Sequence, residues 1–179
     1  MLNSFYPIIK SLQPIASEVI ALVAVIGLFN TRWIWRQSNR PIVSAVVETH
    51  SSGNVATLFN LAVINSGNRP ATDIKLTIDN YHEFEKCIKT TDQRTVEQIT
   101  RCFSKDATIP LLINGEKKTN YFGTTSTKKE QDIWIYGSFF SITIDYGDLE
   151  KKRYKSELVL FIKDSKAFAS GSWGKSTTS

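Results

Sequence analysis

The feature that most constrains this chain lies near its start. Val19 to Phe29 is a run of eleven apolar or small residues without a break. Eleven residues are short for a bilayer span, but Ile15 and Ala16 precede the run and Trp33, Ile34 and Trp35 follow it. From Ile15 to Trp35 the segment has 21 residues. At about 1.5 Å per residue, a helix of that length reaches roughly 30 Å, the thickness of the hydrocarbon core. Pro14 suits a first helical turn, where its missing N–H is not needed. Trp33 and Trp35 have the character of interfacial anchors, and Arg32 and Arg36 can reach head groups from the same end. Three other assignments compete with a span. A cleavable signal would need small residues after Phe29, where Asn30-Thr31-Arg32-Trp33 stands instead. An interfacial helix would need a polar face, which the run lacks. A buried soluble helix stays open, because the segment contains Glu18.

The charge distribution supports the span and indicates its direction. The net charge is +5, which by itself invites a nucleic-acid partner. Residues 1–41, however, carry Lys10, Arg32, Arg36 and Arg40 against Glu18 alone. The rest of the chain holds 18 basic and 16 acidic side chains. More than half of the excess therefore sits beside the apolar segment, a membrane pattern, and no nucleic acid is expected as a partner. Three arginines after the span against one lysine before it favour a cytoplasmic C-terminal domain at an inner membrane. Cys87 and Cys102 would then be reduced thiols. Glu18 has two readings: a helix-packing or proton-linked carboxylate within the bilayer, or a residue near the head groups at the positive end of the helix dipole.

After Arg40-Pro41 the hydrophobic period changes to two. Val43, Ala45 and Val47 alternate, then Phe59, Leu61 and Val63, then Ile74, Leu76 and Ile78. Asn65-Ser66-Gly67-Asn68-Arg69-Pro70 is a dense turn signal between the last two. Ile109 to Ile113 is a further apolar run. Phe140, Ile142, Ile144 and Tyr146 alternate, as do Leu158, Leu160 and Ile162. Spaced short strands of this kind predict an all-β chain, an antiparallel sandwich of about seven strands over 42–163. One stretch breaks the period: Val96, Ile99 and Phe103 fall at helical spacing, with Asp92 placed to cap. It predicts a short helix within an insertion at 80–107. The resulting organisation is a tail at 1–14, a transmembrane helix at 15–35, a linker at 36–41, the sandwich, and a flexible tail at 164–179.

Several of these turns resemble a known pattern. The run Leu61 to Ile74, with Asn65, Gly67 and Pro70 at its centre, resembles the "N-x-G-x-x-P/A-x-x-hydrophobic" signature of bacterial immunoglobulin-like domains, with the hydrophobic Ile74 one position late. Leu111-Leu112-Ile113-Asn114-Gly115-Glu116 resembles their "L-x-P-G-E" turn, with Asn114 where proline is common. Ile142 to Asp148 resembles their "hydrophobic-x-Y-x-D" hairpin. The likeness covers about residues 41–163. It implies an immunoglobulin-like β-sandwich in a small, membrane-anchored bacterial protein, and it specifies a fold without an activity.

Chemistry leaves a faint trace. The two histidines, His50 and His82, fall in loop-like sequence. His82, Glu83, Glu85 and Cys87 are densely spaced but match no zinc arrangement, which pairs Cys or His at fixed short intervals. Gly174-Lys175-Ser176-Thr177 imitates the end of a phosphate loop, yet Ala169 stands where the leading glycine belongs. No catalytic residue, metal ligand or cofactor is therefore expected, and the chain is read as a non-enzymatic, membrane-anchored interaction module. Its partners are the lipid bilayer and either an unidentified protein or a second copy of itself. Phe168 and Trp173 in the C-terminal tail are candidate partner-binding residues, because large aromatics anchor interfaces. The alternative is a membrane-perturbing effector, for example in antiphage defence, with the sandwich as sensor or oligomerisation domain.

Overall fold

Two different hydrophobic periods produce two separate units, which divide between Arg40 and Pro41. The structure, a computed structural model, describes residues 6–90, 92–128 and 131–163. Among its described residues the first unit contains one helix, α1 (Tyr6–Ser38), of 33 residues. It is longer than the 15–35 expected, so Pro14 falls inside its run rather than in its first turn. Every side chain from Glu18 to Ser38 is exposed. The helix ends where Asn39 donates twice to the Trp35 carbonyl, from its backbone N–H at 2.9 Å and its side-chain amide at 3.0 Å. Those bonds supply a partner to one of the carbonyls that any helix end leaves open.

Among its described residues the second unit contains seven strands. These are β1 (Val43–Ser52), β2 (Ala56–Asn65), β3 (Ala71–Ile78), β4 (Ile109–Leu112), β5 (Lys117–Ser126), β6 (Phe139–Gly147) and β7 (Arg153–Phe161). They form a three-stranded antiparallel sheet, β1-β2-β5, and a four-stranded one, β4-β3-β6-β7. The alternating residues behave as their period requires. Ile74, Leu76 and Ile78 are buried, while Asp73, Lys75 and Thr77 face solvent. Phe59, Leu61 and Val63 of one sheet join Ile74, Ile142 and Leu160 of the other in a single buried cluster, so the two sheets pack face to face. The six strands legible as apolar runs are all present; β5 is the seventh.

The ends of the sandwich differ. β1 begins at the end that also carries the β2–β3, β4–β5 and β6–β7 turns. Asn65 organises this end. It is fully buried, and its side chain makes four hydrogen bonds. Its Oδ1 accepts from the Ile42 N–H at 3.2 Å and the Gly67 N–H at 3.0 Å. Its Nδ2 donates to the Arg69 carbonyl at 2.7 Å and the Leu112 carbonyl at 3.0 Å. One amide thus ties the start of β1, the β2–β3 turn and β4 together across both sheets. Only an amide supplies two donors and two acceptors in this geometry.

The opposite end is closed by the insertion between β3 and β4, which holds two short helices, α2 (Tyr81–Lys86) and α3 (Gln93–Thr100), followed by a 3-10 turn at Arg101–Phe103. Asp92 caps α3 as expected, its carboxylate accepting from the Arg94 and Thr95 amides. Asn80 caps α2 in the same way. Phe84 of α2 and Phe103 of the 3-10 turn drop onto Phe122, Trp134 and Phe140. Ring centroids lie 4.9 to 6.4 Å apart within this group, the range of favourable aromatic pairing. The Trp134 indole N–H donates to the Phe122 carbonyl. It fits because Gly123, at φ +87°, has no side chain: a β-carbon there would lie 2.6 Å from the indole nitrogen. Phe122 and Gly123 together face Phe59 where the β2–β5 register slips, a bulge that turns the edge strand over the aromatic group.

Asn65→Asp tests the hub. The substitution keeps the shape and removes both donors, leaving the Leu112 and Arg69 carbonyls against a carboxylate. Each buried polar group left unpaired costs about 1–3 kcal/mol, so the variant is expected to lose about 3 kcal/mol in urea unfolding of the detergent-solubilised chain. A loss under about 0.5 kcal/mol, the scale of an ordinary surface change, would remove Asn65 from this role.

Candidate functional site

The first candidate is the helix. Glu18–Ser38, 21 residues of mean hydropathy 1.4, is long and apolar enough to cross a membrane. Glu18 opens this stretch, and Arg32, Trp33, Trp35 and Arg36 close it; all five are exposed. Arg32 and Arg36 are four residues apart and share one face. Trp33 and Trp35, two apart, point to nearly opposite sides. Such an arrangement puts aromatic rings around the helix end with two cations on one side. Just after the apolar run the Thr31 hydroxyl donates to the Gly27 carbonyl at 2.8 Å, so this polar side chain is satisfied within the helix, as an apolar medium demands.

The second candidate is an apolar surface on the sandwich. β1 and β7 are edge strands of different sheets and lie side by side. Between them runs a groove of about 230 Å³ lined by Val46, Val159, Phe161 and their neighbours. Phe161 pairs with Phe139 across the β6–β7 ladder, their rings 5.6 Å apart. These side chains stay open to solvent, Phe139 at 59% and Phe161 at 55% of full exposure. Exposed large apolar groups clustered in this way mark interaction surfaces, and unpaired strand edges invite pairing.

The candidate chemical residues do not assemble. His50 at the end of β1 and His82 in α2 are exposed and lie on separate elements. Glu83 and Glu85 are exposed on α2 beside a buried Cys87, whose thiol donates to the Glu83 carbonyl at 3.2 Å and the Phe139 carbonyl at 3.4 Å. Among the described residues no three His, Cys, Asp or Glu side chains stand close enough to hold a metal. Both cysteines are free thiols. Cys102 lines a cleft of about 360 Å³ between the sheets at the β4–β5 side, with Leu61, Ile74 and Ile109 around it. Burial pushes its thiol up to about 12, so it remains protonated at neutral pH and is a poor nucleophile.

A different acidic group does structural work that its sequence position half reveals. Asp148, in the Tyr146-Gly147-Asp148 turn, is almost fully buried. Its Oδ1 accepts from the Glu150 N–H at 2.9 Å and the Lys152 N–H at 3.0 Å, and its Oδ2 accepts from the Tyr154 hydroxyl at 2.9 Å. Burial alone would raise its pKa, but these bonds and the nearby Arg69 outweigh it and hold the carboxyl below the usual range. Asp148 thereby fixes the β6–β7 turn. Arg69 reaches that turn too, pairing with Glu150 at 2.7 Å.

The lowered pKa sets the sign of a pH effect. The carboxylate's contribution is complete above the ordinary aspartate value of about 3.9 and is lost as pH falls through its lower folded value. Asp148→Asn is therefore expected to be less stable than wild type at pH 7, with the gap closing as pH drops below about 3.9. Equilibrium unfolding from pH 7 to pH 2 measures it; a gap independent of pH would contradict the assignment.

Phe168 and Trp173, together with the phosphate-loop imitation at 174–177, lie outside the described residues. None of the curated proteins matches the sequence. A family described as a domain of unknown function, DUF8453, matches residues 10–166, taking in most of α1 and the whole sandwich. An apolar N-terminal helix joined to a two-sheet β domain is thus the unit that the family match spans, and the chain belongs to the DUF8453 family.

Proposed function

We propose that this protein is a non-enzymatic interaction module, anchored in the inner membrane by α1, with an immunoglobulin-like sandwich on the cytoplasmic side that recruits or regulates a protein partner. The observation that carries this reading is the exposed apolar group on the β1–β7 side, Val46, Phe139, Val159 and Phe161, beside two strands that form sheet edges among the described residues. Burying an apolar side chain of this size contributes about 1.5–3 kcal/mol, so four together give a partner a substantial driving force. The strand order supports the immunoglobulin-like assignment: the chain crosses between the sheets from β2 to β3, from β4 to β5 and from β5 to β6, as Greek-key sandwiches do. The anchor is supported by the hydropathy of α1, and the orientation by Arg32, Arg36 and Arg40 against Lys10.

A native pull-down of the full-length protein from detergent-solubilised membranes, followed by mass spectrometry, tests the proposal. Wild type is compared with V159S/F161S, which changes only exposed side chains. A stoichiometric protein partner is expected with wild type, and its recovery should fall at least about tenfold with the variant, as for loss of a central apolar contact. A partner retained equally by both would move the contact elsewhere. Recovery of the chain alone as a defined oligomer would replace a recruiting module with the membrane-perturbing effector.

A further inference from the structure

The end of the sandwich at which β1 begins carries a second, chemically different surface. We infer that the β4–β5 and β6–β7 turns dock on an anionic lipid surface, holding the sandwich against the bilayer that α1 enters. The inference rests on the reading of α1 as an anchor and adds a contact that an anchor alone does not require.

Both turns place an apolar residue at an exposed tip. Leu149 retains 67% of its full exposure and Ile113 retains 52%. Turn tips are ordinarily polar, because nothing covers them. Beside Leu149 stands the run Lys151-Lys152-Arg153, for which no carboxylate partner is found among the described residues. Lys151 adopts φ +64°, a region where glycine or asparagine is the usual occupant of a turn. The turn geometry thus gives no reason for a lysine there, whereas a cationic tip does.

The charge is asymmetric along the sandwich. At this end, residues 66–70, 113–118 and 148–153 hold six basic and three acidic side chains. The described residues of the segments at the other end, within 50–55, 79–108 and 127–138, hold six basic and seven acidic ones. Connectivity favours the basic end. Five peptide links separate Ser38, the last residue of α1, from Val43, the first of β1, and they span at most about 18 Å. A linker this short lets the turns that share β1's starting end reach the head groups on whichever side the domain lies. Apolar tips that enter the interface and cations within a Debye length of it are the two signals that together give stable surface binding. Asp148 and Asn65 hold both turns rigid, so docking orders little further chain.

Hydrogen–deuterium exchange of the full-length protein in lipid nanodiscs tests this. One preparation uses phosphatidylcholine alone, and the other adds phosphatidylglycerol. Amides of 113–116 and 148–152 are expected to exchange on the order of tenfold more slowly in the anionic discs, while those of 53–55 at the opposite end stay unchanged. L149N and K151E/K152E, both confined to exposed side chains, should abolish the slowing, as should high salt. Incorporation into both discs with equal exchange in the two turns would overturn the docking and leave the anchor standing. Failure of the protein to enter either disc would overturn both. Slowing that survives the substitutions would also overturn the docking.

Discussion

One buried amide holds the two sheets in register at the end of the sandwich where β1 begins. Asn65 has all four of its side-chain hydrogen-bonding positions filled, by groups from Ile42 just before β1, the β2–β3 turn and β4. Its backbone joins the same arrangement: Asn65 N–H donates to the Glu116 carbonyl at 3.1 Å, and its carbonyl accepts from Gly115 at 2.8 Å. Three connections therefore share one residue. A buried polar network this complete fixes a unique geometry, because any alternative register would leave several groups unpaired. Apolar contacts alone do not impose that penalty, since Leu61 or Val63 could pack against several neighbours.

The other end uses the opposite strategy. Phe84, Phe103, Phe122, Trp134 and Phe140 fill it, with Gly123 making room for the indole. The insertion helices supply two of the five rings, so they are part of the core rather than an ornament on it. Between a polar-braced end and a filled aromatic end, the β1–β7 side gathers Val46, Phe139, Val159 and Phe161 into one uncovered apolar group. The proposed partner surface and the proposed lipid surface are thus at separate places on one rigid body, and both could be engaged together.

Much of this was legible in the sequence, and the misses have physical causes. Strands β1, β2, β3, β6 and β7 announced themselves because one face of each is buried, so the period of two survives. β5 did not: Lys117 to Ser126 is almost entirely polar, and as an edge strand it buries little beyond Phe122 and Gly123. α3 was visible through its cap and apolar spacing, whereas α2 has six residues, too few to show a period. Asn80 with Glu83 three residues on carried a readable capping signal for it. The turn motif containing Asn65 and Gly67 was recognised as a likeness; its reason, an amide serving both sheets, needed Leu112, 47 residues away. The exposed groups of the candidate surface are half legible: Leu158 and Leu160 mark one face of β7 and put Val159 and Phe161 on the other, but the sequence does not show that this other face stays open to solvent.

α1 is the part of the account on which the others lean. Its side chains from Glu18 to Ser38 are exposed, large apolar residues such as Leu28 and Phe29 among them, and it is long and apolar enough to cross a membrane. The most direct measurement is alkaline carbonate extraction of membranes containing the full-length protein, beside a variant carrying L22K and I26K within the apolar run. Retention of wild type in the pellet with release of the variant is the predicted result. Release of wild type by carbonate would show that α1 does not cross the bilayer, and it would contradict the account at its base.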